Sequence, residues 1–251
     1  MQLTGNTILV TGGGSGIGRG LAESLHQLGN QIIISGRRPD VLANTTKANP
    51  GIVSLPLDVN DPEAIRAFAA RVTAEYPSLN ILINNAGIMK GENLRDLPSG
   101  LDDSEAVITT NLLGPIRLTA ALLPHLQKQT HAAIINVSSG LAFVPLPVTA
   151  TYSATKAALH SYTISLRVQL AGTRVEVIEI IPPAVATELT PGRAPNERMM
   201  SLPDYIDQTM QILKTQPTPS EVCVEHVKFL RFAEAQGNFD KALQMLSALK
   251  L

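Results

Sequence analysis

The feature that most constrains this chain is a glycine-rich turn between a strand pattern and a helix pattern. A short β-rich apolar run at residues 7–10 leads directly into Thr11-Gly12-Gly13-Gly14-Ser15-Gly16-Ile17-Gly18, and an amphipathic helix pattern covers 16–28. Glycines let the backbone approach a ligand closely, and a helix N-terminus offers unpaired N–H groups at the positive end of its dipole. The combination predicts a phosphate-binding turn rather than a flexible surface loop. The strict pattern G-x-G-x-x-G fails in every register, because Ile17 occupies the last glycine position counted from Gly12. A P-loop nearly fits from Gly13 to Gly18, but Arg19-Gly20 stands where Lys-Ser/Thr is required, which argues against ATP binding through that motif. What does fit is T-G-x-x-x-G-x-G, with Gly12, Gly16 and Gly18 as its glycines.

The rest of the chain repeats the strand-then-helix rhythm. Further strand patterns lie at 31–35, 52–57, 80–83, 132–137 and 174–181, and helices are expected at 62–76, 104–127 and 152–171, with a shorter one at 40–47. About six strands separated by helix-length segments predict an α/β fold, a doubly wound parallel sheet with helices on both faces and right-handed crossovers. After Ile181 prolines accumulate, including Pro182, Pro183, Pro191, Pro195 and Pro203, so 183–216 is expected to be a mobile substrate loop with a short helix, inside a single domain spanning 1–251. From Ser220 onward the pattern is helical, broken at Gly237-Asn238.

Composition narrows the partners. Twenty basic against 21 acidic side chains leave a net charge of −1, which supplies no electrostatic reason for nucleic acid or an anionic membrane. No segment reads as a membrane-inserting helix, since polar residues and prolines interrupt the uncharged run between His131 and Lys156. A single cysteine, Cys223, excludes an internal disulfide and every zinc site built on paired cysteines. Together with an N-terminus that lacks the signal-peptide pattern, this leads to the expectation of a cytoplasmic protein. No H-E-x-x-H motif occurs and none of His26, His125, His131, His160 and His226 lies close to another in sequence, so no metal is expected; no G-x-S-x-G elbow supports a serine hydrolase.

Tyr152-Ser-Ala-Thr-Lys156 places a phenol and an ammonium on one helix face, just after a strand that ends in Ser138-Ser139. A carbonyl that accepts hydride must also gain a proton, and a tyrosine becomes a competent donor when a cation stabilises its phenolate. The turn from Thr11 to Gly18, Asn84-Asn85-Ala86-Gly87, Asn111, Ser139, Tyr152 and Lys156, in this order, resemble the short-chain dehydrogenase/reductase superfamily in its roughly 250-residue form, over about residues 5–190. The resemblance implies a Rossmann-like sheet in the order 3-2-1-4-5-6 and metal-free hydride transfer between a nicotinamide cofactor and a ketone, aldehyde or alcohol. It implies catalytic roles for Asn111, Ser139, Tyr152 and Lys156, with Ser139 on the substrate oxygen and Asn111 supporting a proton relay. Cofactor contacts are implied for Gly12, Ser15, Gly16, Ile17, Gly18, Asp58, Asn85, Ala86, Gly87, Tyr152, Lys156 and Thr187. Ser138 competes with Ser139, but successive strand residues face opposite ways and the family's serine-to-tyrosine interval selects Ser139. For Asp58 a turn-capping role is an equal alternative. Pro183 replaces a family glycine four residues before Thr187 and stiffens the backbone there.

An acidic residue about 20 positions past the glycines would bind the ribose hydroxyls of NAD. This chain has Gly36-Arg37-Arg38 instead, and two guanidinium forks suit a 2′-phosphate, so NADP(H) is expected ahead of NAD(H). Candidates to line a substrate pocket are Leu141, Phe143, Leu146, Leu189, Met199 and Met200; the alternative turns Arg193, Glu197 and Arg198 inward. The resemblance also implies a homodimer or homotetramer paired through the helices at 104–127 and 152–171. The family's usual last strand has no counterpart in the sequence, so a helical tail is expected in its place; Pro182-Pro183 and this tail resemble the branch labelled DltE-like. The competing expectation is a non-catalytic sensor or scaffold that binds NADPH through the same fold.

Overall fold

The strand-and-helix rhythm resolves into seven parallel strands in one sheet, ordered β3-β2-β1-β4-β5-β6-β7, in a computed structural model describing residues 1–96, 100–189, 196–216 and 218–249. The strands are β1 (Thr7–Thr11), β2 (Gln31–Gly36), β3 (Val53–Pro56), β4 (Leu79–Asn84), β5 (Ala132–Val137), β6 (Val175–Ile180) and β7 (Glu221–Val222). The helices are α1 (Gly16–Gln27), α2 (Pro39–Ala48), α3 (Pro62–Glu75), α4 (Asp102–Ile108), α5 (Gly114–Leu126), α6 (Ala150–Gln169), α7 (Leu202–Thr215), α8 (Glu225–Arg231) and α9 (Phe239–Ser247).

Strand side chains alternate between two apolar faces, which is why these runs read as continuously hydrophobic. On one face Ile8, Val10, Ile32, Ile34, Ile81 and Ile135 pack with Leu21 and Leu25 of α1 and with Ile206, Met210 and Leu213 of α7. On the other, Leu9, Ile33, Leu82 and Ile134 pack with Ile65, Phe68 and Val72 of α3, Leu118 and Leu122 of α5 and Leu166 of α6. Within the stretch Asp102–Leu126 an 18-residue window has a mean hydropathy of 1.4, so by length and composition it could cross a membrane, but Leu118, Leu122 and Leu126 are fully buried in this second core.

Three expectations need adjustment. The order 3-2-1-4-5-6 is present and continues into a seventh strand, where a helical tail alone was expected; its two residues pair with Glu179 and Ile180, too few to leave any periodicity. The helix expected at 104–127 runs from α4 into α5 through a π-helical turn at Thr109–Leu113. Within 183–216, α7 is a full 14-residue helix on the core, started by Ser201, whose hydroxyl accepts the Asp204 N–H. Beyond β7, α8 and α9 fold over Val144 and Leu146 as a small apolar cluster.

Candidate active site

Strand order reverses between β1 and β4, and a cleft of about 1080 Å³ opens along the carboxyl ends of the strands there, the place where open α/β sheets bind ligands. Gly12 and Gly16 have φ of +66° and +53°, the left-handed region that glycine adopts without strain. Gly18 serves packing instead: a Cβ there would sit 2.3 Å from Asn85 Nδ2 and 2.4 Å from Gly12 O. Asn85 locks the turn to β4, its amide donating to Thr11 O at 2.9 Å, while Thr11 Oγ1 accepts the N–H groups of Asn85 and Ala86, both at 3.0 Å. Backbone donors at the head of α1 therefore face open space flanked by Arg37 and Arg38, and Arg38 also donates to Ser15 Oγ at 3.2 Å. This donor set suits an anionic dinucleotide.

Tyr152 and Lys156 lie on the first turns of α6 and are both buried, yet both line the cleft. Lys156 Nζ donates to Val137 O at 2.8 Å and sits 5.6 Å from the centre of the Tyr152 ring. Ser139, beyond the end of β5, accepts the Leu141 N–H at 3.1 Å, which orients its hydroxyl beside the Tyr152 phenol. Burial pushes the Tyr152 phenol up to about 12, and the Ser139 hydroxyl offsets part of that rise. Burial also lowers the Lys156 ammonium to about 8, against the opposing pull of Glu179. At neutral pH the site thus holds a proton on each group, the state required to protonate a nascent alkoxide.

Of the residues expected from sequence, Gly12, Ser15, Gly16, Ile17, Arg37, Arg38, Asn85, Ala86, Gly87, Ser139, Tyr152, Lys156 and Thr187 all line this one cleft. Gly18, Asp58 and Asn111 do not. Asp58 is exposed, and its carboxylate accepts the Asn60 N–H, the turn role. Asn111 sits in the π turn behind the wall, its amide clamping both backbone groups of Ile88 at 2.9 Å and donating to Thr155 at 3.3 Å. Ser138 lines the cleft but gives its hydroxyl to Glu179.

The apolar end of the cleft contains Leu141, Leu146, Leu189 and Met199, with the exposed Glu188, Glu197 and Arg198 at its rim. Phe143 and Met200 turn elsewhere: Phe143 meets His160 edge-on and Arg231, and Met200 packs on the core beside Val185. Arg193 lies outside the described residues. Sequence reasoning missed Leu230, Leu246 and Leu249, which the C-terminal segments bring to the same wall. It also missed the role of Glu179, although a charge in a buried strand was a visible signal. His160, Glu179 and Glu221 lie close enough to hold a metal ion, within 4.8 Å, but Arg231 holds both oxygens of Glu221, and Ser138 and His160 hold Glu179.

The model of the short chain dehydrogenase family matches residues 6–198. The uncharacterized oxidoreductase DltE of Bacillus subtilis (strain 168) is 40% identical over 251 residues, covering 98% of each chain. Among solved structures, a short chain dehydrogenase of Burkholderia cenocepacia J2315 in complex with NADP superimposes with a TM-score of 0.81, at 27% identity and full coverage of both chains. The 3-ketoacyl-(acyl-carrier-protein) reductase of Brucella melitensis complexed with NADH gives a TM-score of 0.77 at 25% identity, covering 86% of this chain and 93% of that one. On sequence and fold alike, this chain belongs to the short chain dehydrogenase family.

Proposed function

We propose that the protein is an NADP(H)-dependent oxidoreductase that interconverts an uncharged ketone or aldehyde of apolar body with its alcohol. The observation that carries this reading is the convergence of Tyr152, Ser139 and Lys156 where the glycine-lined cleft meets its apolar end. The nicotinamide cofactor supplies the hydride when bound. The backbone N–H groups at Ser15 to Ile17 would hold its phosphates, Arg37 and Arg38 its 2′-phosphate, and Thr187, beside Gly16, its nicotinamide half. Tyr152 Oη holds the proton and passes it to the alkoxide oxygen, Ser139 hydrogen-bonds that oxygen, and the Lys156 ammonium lowers the cost of the phenolate left behind. Asn111 and Asp58 act from outside the cleft, holding its wall and the adjoining turn.

A carbonyl panel followed by NADPH absorbance tests the reading. Tyr152→Phe should lose more than tenfold in rate, about 1.4 kcal/mol, with NADPH affinity near wild type. Wild type should favour apolar carbonyls over carboxylated analogues of equal size. A Tyr152→Phe variant that keeps its rate removes the acid/base assignment, and tight NADPH binding without turnover on any carbonyl favours the sensor or scaffold reading.

A further inference from the structure

Strand β6 carries a charge where a buried parallel strand is ordinarily apolar. Glu179 is fully buried, paired in the sheet with Asn136 of β5 and Glu221 of β7. Its carboxylate accepts the Ser138 hydroxyl at 2.5 Å and His160 Nδ1–H at 2.8 Å. A carboxylate that is to accept here requires the proton of His160 on Nδ1. Burying such a charge is costly unless hydrogen bonds and an opposite charge compensate it.

The guanidinium of this cluster gives its hydrogen bonds to the other carboxylate, since Arg231 of α8 makes two 2.7 Å bonds to Glu221. Glu221 is raised by burial but held net below the ordinary carboxylate value by Arg231, so it too is charged. Arg167 of α6 donates to the backbone oxygens of Val177 and Ser220, and Lys228 of α8 pairs with Glu225. Burial pushes the thiol of Cys223, just after β7, up to about 12 and keeps it neutral. Half-buried Arg231 feels Glu179, and so does Lys156, which is buried and lies one helical turn from His160 on α6. Successive residues at the end of β5 thereby meet the whole centre: Val137 O takes Lys156, Ser138 takes Glu179 and Ser139 takes Tyr152.

We propose that Glu179, held by Ser138 and His160, is a positioning residue of the reaction centre, supplying the buried countercharge that keeps the Lys156 ammonium charged and pinning the strand end that presents Ser139. This rests on the reading of Tyr152, Ser139 and Lys156 as the hydride-transfer site. Without the glutamate charge, burial acts on Lys156 unopposed, so its proton is lost at lower pH. A merely structural glutamate would leave that titration in place.

The test is the titration of the Lys156 13Cε resonance in 13C-lysine-labelled protein without cofactor, the signal identified by its loss in Lys156→Met. The wild-type midpoint is expected at about 8. In Glu179→Gln it should fall by about one pH unit or more, a tenfold loss of proton affinity. Glu179→Asp, which retains the charge, should recover part of the shift. An unmoved midpoint in Glu179→Gln overturns the proposal, as does a wild-type midpoint below 7, a measurement that needs no variant to fold. Tyr152→Phe assayed in parallel separates the two levels: an active variant sinks the reading of the site itself, whereas an inactive one with an unmoved lysine midpoint sinks the role of Glu179 alone.

Discussion

Arg37 and Arg38 leave β2 into the cleft exposed, and among the described residues the cleft lining from Thr11 to Val59 contains no acidic side chain. Removing both in Arg37→Ala/Arg38→Ala should weaken NADPH binding at least tenfold, about 1.4 kcal/mol, and leave NADH binding nearly unchanged, because only the 2′-phosphate distinguishes the two ligands. Dissociation constants for both cofactors decide it, and tighter NADH than NADPH binding in wild type would refute the preference. Ser138 and Ser139 point their hydroxyls apart, one toward Glu179 and one toward Tyr152, as alternation along an extended chain requires, while the family's serine-to-tyrosine interval made the choice between them. Asp58 shows the limit of motif transfer by residue: its acceptor oxygen is already committed to the turn at Asn60.

The helix that carries the reaction centre begins without a cap of its own, for Thr149 makes no side-chain bond to its first turn. Glu92, from the segment after β4, supplies the missing acceptor: its carboxylate takes the Thr151 N–H and the Thr151 hydroxyl, each at 2.8 Å. A carboxylate at a helix N-terminus also complements the dipole. Because Thr151 adjoins Tyr152, Glu92→Ala should cost about 0.5–2 kcal/mol of stability and lower kcat as well. Thermal melts with steady-state kinetics check this, and an unchanged Tm would mean that water replaces the carboxylate at no cost. The π turn at Thr109–Leu113 acts at the same scale, since the widened turn lets Asn111 reach Ile88. Such single-turn departures cannot be read from a hydrophobic period, which continues through them.

On the whole molecule, Ile108, Ile164 and Val168 are 40%, 43% and 71% exposed on α4 and α6, the two helices expected to pair copies of the chain. Their neighbours Leu118, Leu122 and Leu166 are consumed by the sheet, so only part of the apolar surface noted in the sequence is left over. We expect a homodimer or homotetramer through this face, and Ile164→Glu/Val168→Glu should reduce it to monomers by light scattering. A wild-type monomer at micromolar concentration would remove the proposal. The C-terminal segments matter at this scale too, because α8 and α9 close the apolar end of the cleft with residues remote in sequence from Tyr152.

Local signals in the sequence, namely apolar patterns of strand and helix period, glycine punctuation and the spacing of side chains on one helix face, were enough for six of the strands, the glycine turn and the Tyr152 and Lys156 pair. The strand order and the choice of Ser139 came from the family resemblance. Tertiary structure alone decided the two-residue β7, the diversion of Phe143 and Met200, the leucines that α8 and α9 bring to the cleft, and the partners of Glu179. Each of these depends on contacts between segments far apart in the chain, whose energetics no local pattern encodes. Lys156 joins the two: its place one turn after Tyr152 is local, but the burial that lowers it and the glutamate that opposes this come from β6, across the fold.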